Sequence, residues 1–106
     1  MKTQFVFALG LAVAAFGASA PAQAAPEAAM EKAGCLACHT KDKKMVGPAF
    51  KEIAAKYKGQ DVVPTLMQKV RTGGKGSFGP IPMAPNPPEK INDADLKEAV
   101  EYILKN

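Results

Sequence analysis

Three stretches of the chain carry hydrophobic side chains at helical spacing. Their apolar faces consist of Phe50, Ile53, Ala54 and Tyr57, of Val63, Leu66, Met67 and Val70, and of Leu96, Ala99, Val100, Ile103 and Leu104. Spacings of three and four residues place side chains on one face of an α-helix. No stretch shows the sustained alternation that indicates a β-strand. The pattern therefore predicts amphipathic helices and an all-α fold.

Residues that favour turns and caps mark the ends of these predicted helices. Pro48 suits the first turn of the first helix, and Gly59 is expected just after its last residue. Asp61 is the expected N-cap of the second helix, which ends before the pair Gly73-Gly74. Asn92 is the expected N-cap of the third. Each helix is therefore short.

One more helix and a long loop complete the predicted architecture. The alanine-rich segment 25–33 favours a helix that begins at about Glu27 and continues into the cysteine motif described below. Residues 73–88 form a sixteen-residue segment rich in proline and glycine. So long a loop in a small domain indicates a function. Its prolines make it stiff enough to hold one side chain, for which Met83 is the candidate.

The N-terminal residues predict export. A lysine at the second position is followed by an apolar run at 5–16, too short for a membrane span, and then by an A-x-A site at 22–24. We expect residues 1–24 to be a cleavable signal peptide and residues 25–106 to be one domain. The alternatives are cleavage after the A-x-A site at 18–20 and an uncleaved amphipathic anchor.

Cys35, Cys38 and His39 form a C-x-x-C-H motif, the attachment signal of a c-type haem. Two thiols on one turn of chain can each add to one haem vinyl group, and the adjacent histidine then supplies the proximal iron ligand. The alternatives are a disulfide, a thioredoxin-like redox pair and half of a zinc site. Zinc needs four ligands, and the chain has only two cysteines and one histidine. The motif therefore predicts one covalent haem c.

Charge adds little to this interpretation. The chain has 14 Lys plus Arg and 10 Asp plus Glu, a net charge of +4, and residues 25–106 keep 13 against 10. The two propionates of a haem would bring that balance close to neutral. We therefore expect neither a nucleic-acid partner nor stable membrane insertion. A largely buried haem would also stabilise a domain too small for a large hydrophobic core.

The second axial ligand cannot be a histidine, because His39 is the only one, and methionine is the other common choice. Met30 lies on the proximal side, Met45 is close to His39 in sequence, and Met67 fits an apolar helix face. Met83 lies far along the chain in the stiff loop, so it is the favoured ligand. The alternative is that Met83 fills a gap in the core.

Together these motifs resemble those of the small bacterial class I cytochromes c of the c-551/c-552 type. The resemblance runs from about Ala28 to Leu104 and implies a class I cytochrome c fold, with about four short helices around one covalently bound haem c. It also implies that His39 and Met83 are the axial ligands. It rests on the final amphipathic helix and on Cys35-x-x-Cys38-His39, Lys44-Met45-Val46-Gly47-Pro48-Ala49-Phe50 and Gly79-Pro80-Ile81-Pro82-Met83-x-Pro85-Asn86.

The resemblance also implies roles for residues around the haem. The Pro48 carbonyl would accept the other ring N–H of His39. Asn86 is similar to a residue that hydrogen-bonds near the methionine sulfur. Lys69 and Phe78 stand where the family often has an arginine and a tryptophan beside a propionate. Because phenylalanine cannot donate a hydrogen bond, we expect an altered propionate environment here.

The function implied is that of a periplasmic one-electron carrier, not an enzyme. Its partners would be redox proteins such as a quinol-oxidising complex, a terminal oxidase or a nitrite reductase, and a monomer is expected. The haem edge near Cys35–Cys38 and the Met83 loop would form the docking surface. Nearby lysines favour an acidic partner or are merely solvated: Lys41, Lys43, Lys44 and Lys75. The alternatives are a peroxidase-like or gas-binding haem protein with an open distal site, and a subunit of a larger haem complex.

Overall fold

The computed structural model describes residues 25–106, together with residues 10, 12 and 17. The predicted signal peptide thus lies outside the described residues, apart from those three positions. None of the helices described is long and apolar enough to cross a membrane. The described chain contains a 3₁₀ turn at Cys35–Ala37 and four helices: α1 (Ala25–Ala33), α2 (Phe50–Lys56), α3 (Val63–Thr72) and α4 (Asp93–Leu104).

Helix α4 is the centre of the domain. Among the described elements, α1, α2 and α3 each pack against α4, and none of the three packs against another of them. The apolar faces predicted from periodicity meet at these contacts. The buried core contains Met30, Ala33, Phe50, Ile91, Leu96, Ala99 and Val100. The all-α fold is therefore confirmed, and the last helix is the element on which it is assembled.

The N-cap expected for α4 is present, and the one expected for α3 is not. Asn92 Oδ1 accepts the backbone N–H of Asp95 at 2.8 Å. Helix α3 instead begins at Val63 after Val62, with no side-chain cap, so the prediction for Asp61 was wrong. Pro64 explains the difference, because it occupies the position whose N–H an N-cap side chain would accept, and proline has none.

The first two helices end earlier than predicted, and each is followed by a glycine in a left-handed conformation. Helix α1 does not run into the cysteine motif, because Gly34 has φ 85° and separates it from the 3₁₀ turn. Helix α2 ends at Lys56, and Gly59, with φ 76°, lies in the turn that follows. Both backbone conformations favour glycine. The first break sets the direction in which the cysteines leave α1.

An arginine joins α3 to the start of α4. The Arg71 guanidinium donates to the carbonyl oxygens of Asn86 at 3.1 Å and Ile91 at 2.7 Å. It also forms an ion pair with Asp93, with 2.6 Å between Nη2 and Oδ1. These bonds fix the C-terminal end of the 73–88 loop. Arg71 thereby holds both ends of that loop near one another.

Candidate haem-binding site

The helices and the 73–88 loop surround a cavity of about 370 Å³. Most of its lining is apolar. One wall carries Cys35, Cys38 and His39, and another carries Met83, which is far away in sequence. The remaining lining includes Val46, Phe50, Ile53, Leu66, Val70, Phe78, Pro80, Ile81, Val100 and Ile103. The fold therefore brings the predicted iron ligands and attachment cysteines to one apolar cavity.

His39 is buried and oriented by its neighbours. Its Nδ1 lies 2.7 Å from the Pro48 carbonyl oxygen. Since a carbonyl only accepts, Nδ1 carries the proton and Nε2 keeps its lone pair for a metal. The ring also stacks on Phe50, with 5.7 Å between ring centroids. This is the arrangement that an axial imidazole requires.

Gly47 allows the backbone to approach the His39 ring. A Cβ on Gly47 would lie 2.5 Å from His39 Cε1, a distance at which one of the two must move. The Gly47 N–H donates to the Cys38 carbonyl at 2.8 Å, so this segment cannot simply move away. The motif spacing did not reveal this contact. The signal available in the sequence was only a glycine immediately before Pro48.

The two cysteines occupy one tight turn. The N–H groups of Cys38 and His39 both donate to the Cys35 carbonyl, at 3.2 and 3.0 Å. Both thiols are free, half-buried and part of the cavity wall. Burial raises the pKa of the Cys35 thiol, so it stays protonated at neutral pH. In the described part of the chain, no group of three or more His, Cys, Asp or Glu side chains could hold a metal ion.

Met83 is positioned by a short β-bridge within its loop. Gly74 donates to the Met83 carbonyl at 3.0 Å, and Met83 donates back to the Gly74 carbonyl at 2.9 Å. Gly73 makes this approach possible, because its φ is 67° and a Cβ there would lie 2.3 Å from the Met83 oxygen. Two hydrogen bonds therefore fix the backbone of Met83 without a helix or a strand.

The other methionines of the described chain do not line the cavity. Met30 is 1% exposed and belongs to the core. Met67 packs against that core from α3. Met45 is 48% exposed. The burial and position of the methionines thus agree with the sequence argument, which favours Met83 over the other three as the second iron ligand.

Two predicted propionate neighbours line the cavity. Lys69 is half-buried at its wall, and its Nζ lies near Gly74. Phe78 is half-buried and packs edge-on against Tyr57, with 6.4 Å between ring centroids. Both positions are compatible with the predicted roles. The effect of Phe78 on a propionate stays a prediction.

Asn86 is buried, and backbone carbonyl groups hold its side chain. Its side-chain amide donates to the carbonyl oxygens of Val70 at 3.3 Å and Ala84 at 3.1 Å. Both amide hydrogens are thus used, and among the described residues no hydrogen bond joins Asn86 to the Met83 sulfur. In this geometry Asn86 fastens the loop to α3. The predicted influence of Asn86 on the methionine sulfur stays a prediction.

The residues present fit a covalently attached haem. An apolar cavity, two thiols on one turn, an imidazole with Nε2 available and a thioether supply the donors and walls that such a group needs. Residues 23–106 match the family model of cytochrome c. The chain belongs to the cytochrome c family. One covalently attached haem c is accordingly its cofactor, as the Cys35/Cys38 pair predicted.

Cytochromes c with similar sequences are found in several bacteria. The chain is 51% identical to cytochrome c2 of Rubrivivax gelatinosus over 83 residues, which are 77% of this chain and 98% of that protein. It is 47% identical to cytochrome c-551 of Azotobacter vinelandii over 72 residues, 67% of this chain and 84% of that one. These relatives confirm that it is a small class I cytochrome c, and members of this family carry electrons.

Solved cytochrome c structures confirm the fold. The crystal structure of cytochrome c552 from Nitrosomonas europaea is 41% identical, with a TM-score of 0.64 over 74% of this chain and 95% of that one. The class 1 cytochrome MtoD from Sideroxydans lithotrophicus ES-1 is 29% identical, with a TM-score of 0.69 over 81% and 97% of the two chains. The all-α class I cytochrome c fold expected from the sequence is thus confirmed.

Proposed function

We propose that this cytochrome is a periplasmic one-electron carrier whose haem iron is held by His39 and Met83. The observation that carries the proposal is that these two side chains, distant in sequence, line the same cavity. The bound haem supplies a one-electron iron couple, whose potential is raised by methionine ligation relative to two histidines. The protein supplies a fixed imidazole, a fixed thioether and apolar walls that exclude water.

This arrangement favours electron transfer over catalysis. The Pro48 carbonyl holds His39 in one orientation, and the bridge to Gly74 holds the Met83 backbone. With both axial positions filled, no site remains for a substrate on the iron. A scaffold fixed in this way changes little between oxidation states, which keeps electron transfer fast. We therefore propose that the protein is not an enzyme.

Residues 1–24 are proposed to direct the chain to the periplasm and to be removed after Ala24. Donor and acceptor proteins there would be a quinol-oxidising complex on one side and a terminal oxidase or nitrite reductase on the other. Val46 and Ile81 support a docking surface at the cavity mouth, because both line the cavity and are more than half exposed, at 53% and 57%. Mass spectrometry of the exported protein tests the cleavage site.

The visible spectrum of the full chain, matured with haem in a bacterial periplasm, tests the ligation. We expect a c-type ferrous spectrum, a ferric methionine–iron charge-transfer band and no response to carbon monoxide. Met83→Ala should abolish the band and open the iron to carbon monoxide. Met45→Ala is the matched control, since Met45 is exposed and does not line the cavity. A high-spin ferric parent that binds carbon monoxide rapidly would contradict the proposal and favour the open-site alternative.

A further inference from the structure

A lysine at the end of α2 ties down the middle of the Met83 loop. We define residues 75–82 as the cap segment, which forms part of the cavity wall just before Met83. Its one backbone hydrogen bond, from Gly76 to Gly79 at 3.0 Å, lies within the segment. Among the described residues, a single hydrogen bond joins the cap segment to another part of the chain. It runs from Lys56 Nζ to the Ser77 carbonyl oxygen.

The same ammonium group also lies over an aromatic ring of the cap segment. Lys56 Nζ is 4.5 Å from the centroid of the Phe78 ring and 5.8 Å from that of Tyr57. Both distances lie within the range of a cation–π interaction. Tyr57 packs edge-on against Phe78. An exposed lysine usually extends into water, but this one makes three contacts, two with Ser77 and Phe78 of the cap segment and one with Tyr57.

We propose that Lys56 is a positioning residue that keeps the cap segment closed over the cavity. Apart from the packing of Tyr57 against Phe78, the segment is otherwise held at its ends, by the bridge between Gly74 and Met83 and by the Arg71 and Asn86 bonds beyond it. Between those ends the chain is glycine-rich and lacks regular structure. Lys56 therefore sets how often this part of the cavity wall opens.

The consequence for the iron rests on the proposed function. Met83 directly follows the cap segment, so opening of that segment loosens the backbone that presents the thioether. Lys56 does not itself line the cavity. It acts through Phe78 and the Ser77 carbonyl, and it shifts the equilibrium between the closed and the open state of the loop toward the closed state.

Amide hydrogen exchange of the haem-loaded full chain measures that equilibrium directly. The Gly74 and Met83 amides donate across the bridge, each to the other residue's carbonyl, and exchange only when it opens. In Lys56→Met, which keeps the length of the side chain without the charge, we expect both amides to exchange about fivefold to tenfold faster. That increase corresponds to about 1–1.4 kcal/mol, at about 1.4 kcal/mol per tenfold change.

Three further variants separate this role from a general loss of stability. Lys56→Arg keeps a cation that can donate and stack, so it should restore most of the protection. Lys51→Met removes the same charge from the exposed side of α2 and should leave both amides unchanged. Phe78→Leu removes the ring and should give a smaller increase than Lys56→Met, which loses both interactions. The amides of Ala99 and Val100 in α4 should be unaffected in Lys56→Met and Lys56→Arg.

Equal exchange in Lys56→Met and the parent would overturn the proposal. So would an equal increase in Lys51→Met, or an increase in α4 as large as in the loop. Imidazole added to the ferric protein provides a second readout, because it must replace Met83 to bind. We expect Lys56→Met to bind imidazole about fivefold to tenfold more tightly, through the same opening equilibrium. If Met83 is not a ligand, the Met83→Ala spectrum shows it, while the exchange result still decides the role of Lys56.

Discussion

At the residue scale, the orientation of His39 depends on one hydrogen bond and on the space that a glycine leaves beside the ring. The Pro48 carbonyl accepts the Nδ1 proton at 2.7 Å, and the missing side chain of Gly47 leaves room for the ring. Gly47 is not among the glycines with positive φ, so alanine would fit its backbone. Only the contact with the imidazole requires glycine there.

Gly47→Ala should therefore affect the His39 imidazole more than the backbone. A Cβ placed 2.5 Å from His39 Cε1 must displace the ring or the chain. Overpacking of this kind costs about 1–3 kcal/mol of the free energy of unfolding. Guanidinium unfolding should show that loss, and the visible spectrum of the ferric protein should change with it.

Gly59→Ala is the control for this substitution. Gly59 has φ 76°, and a Cβ added there would meet no other atom, so alanine brings only backbone strain, about 1–2 kcal/mol. Its spectrum should match that of the parent. An unchanged spectrum in Gly47→Ala would show that the imidazole tolerates the methyl group, and that the contact does not orient it.

The site residues that the sequence predicts directly are those whose chemistry fixes their spacing. Two thioethers and an adjacent imidazole must lie on one turn, so Cys35, Cys38 and His39 could be predicted from their positions alone. Lys56 and Ser77 are 21 residues apart, and no spacing rule joins them. Asn86 shows the converse: its position was identified through the family, but its hydrogen bonds depend on how the loop meets α3.

At the scale of elements, the last turn of α3 adds hydrogen bonds to the packing of that helix against α4. It lacks an N-terminal side-chain cap and buries none of its residues completely. Arg71, whose side chain is 16% exposed, joins it to the two backbone carbonyls of Asn86 and Ile91, while Asp93 is 84% exposed. Shielded bonds to a charged group contribute more than an exposed ion pair.

Arg71→Lys should therefore destabilise the protein more than loss of the ion pair does. Lysine keeps the charge but lacks the planar guanidinium, in which Nη1 donates to both carbonyl groups while Nη2 binds Asp93. We expect a loss of about 1–3 kcal/mol in the free energy of unfolding. Asp93→Asn, which removes only the partner carboxylate, should cost less than about 1 kcal/mol. Equal losses in the two variants would assign the stability to the ion pair instead.

Helix positions were predictable from periodicity because each helix buries one face against α4. The ends of the helices were less predictable from the sequence. Asp61 has the right chemistry for an N-cap, but Pro64 removes the N–H that it would accept. Gly34 separates α1 from the cysteine turn because its left-handed conformation changes the direction of the chain. The position of each helix end depends on a single residue, whereas the prediction of a helical face rests on several apolar residues.

At the scale of the whole molecule, the first and last helices lie side by side. Tyr102 of α4 donates a hydrogen bond to the Glu27 carboxylate of α1. That bond is the main cause that raises the pKa of Tyr102 above its ordinary value of 10.0, with smaller contributions from burial and from the negative charge of Glu27. The contact therefore makes the pairing of the two helices dependent on pH.

The sign of this dependence follows from the raised pKa. The folded protein holds the tyrosine proton more tightly than the unfolded chain, so the stabilisation is complete below about pH 9 and is lost as the pH rises through the raised pKa. Unfolding free energies of the parent and of Tyr102→Phe should therefore converge at alkaline pH. Glu27→Gln, which keeps an acceptor without the charge, should show a weaker dependence. A parent and a Tyr102→Phe variant with parallel pH profiles would exclude this contribution.

The dependence of every helix on α4 also sets the order of events during synthesis. Helices of nine, seven and ten residues do not persist alone in water, and α4 is the only α-helix of the described chain against which α1, α2 and α3 pack. A growing chain thus carries its haem motif for most of its synthesis on a segment that cannot yet fold. Helix packing therefore cannot bury the thiols of Cys35 and Cys38 before α4 is available, and folding around an attached haem requires that last helix.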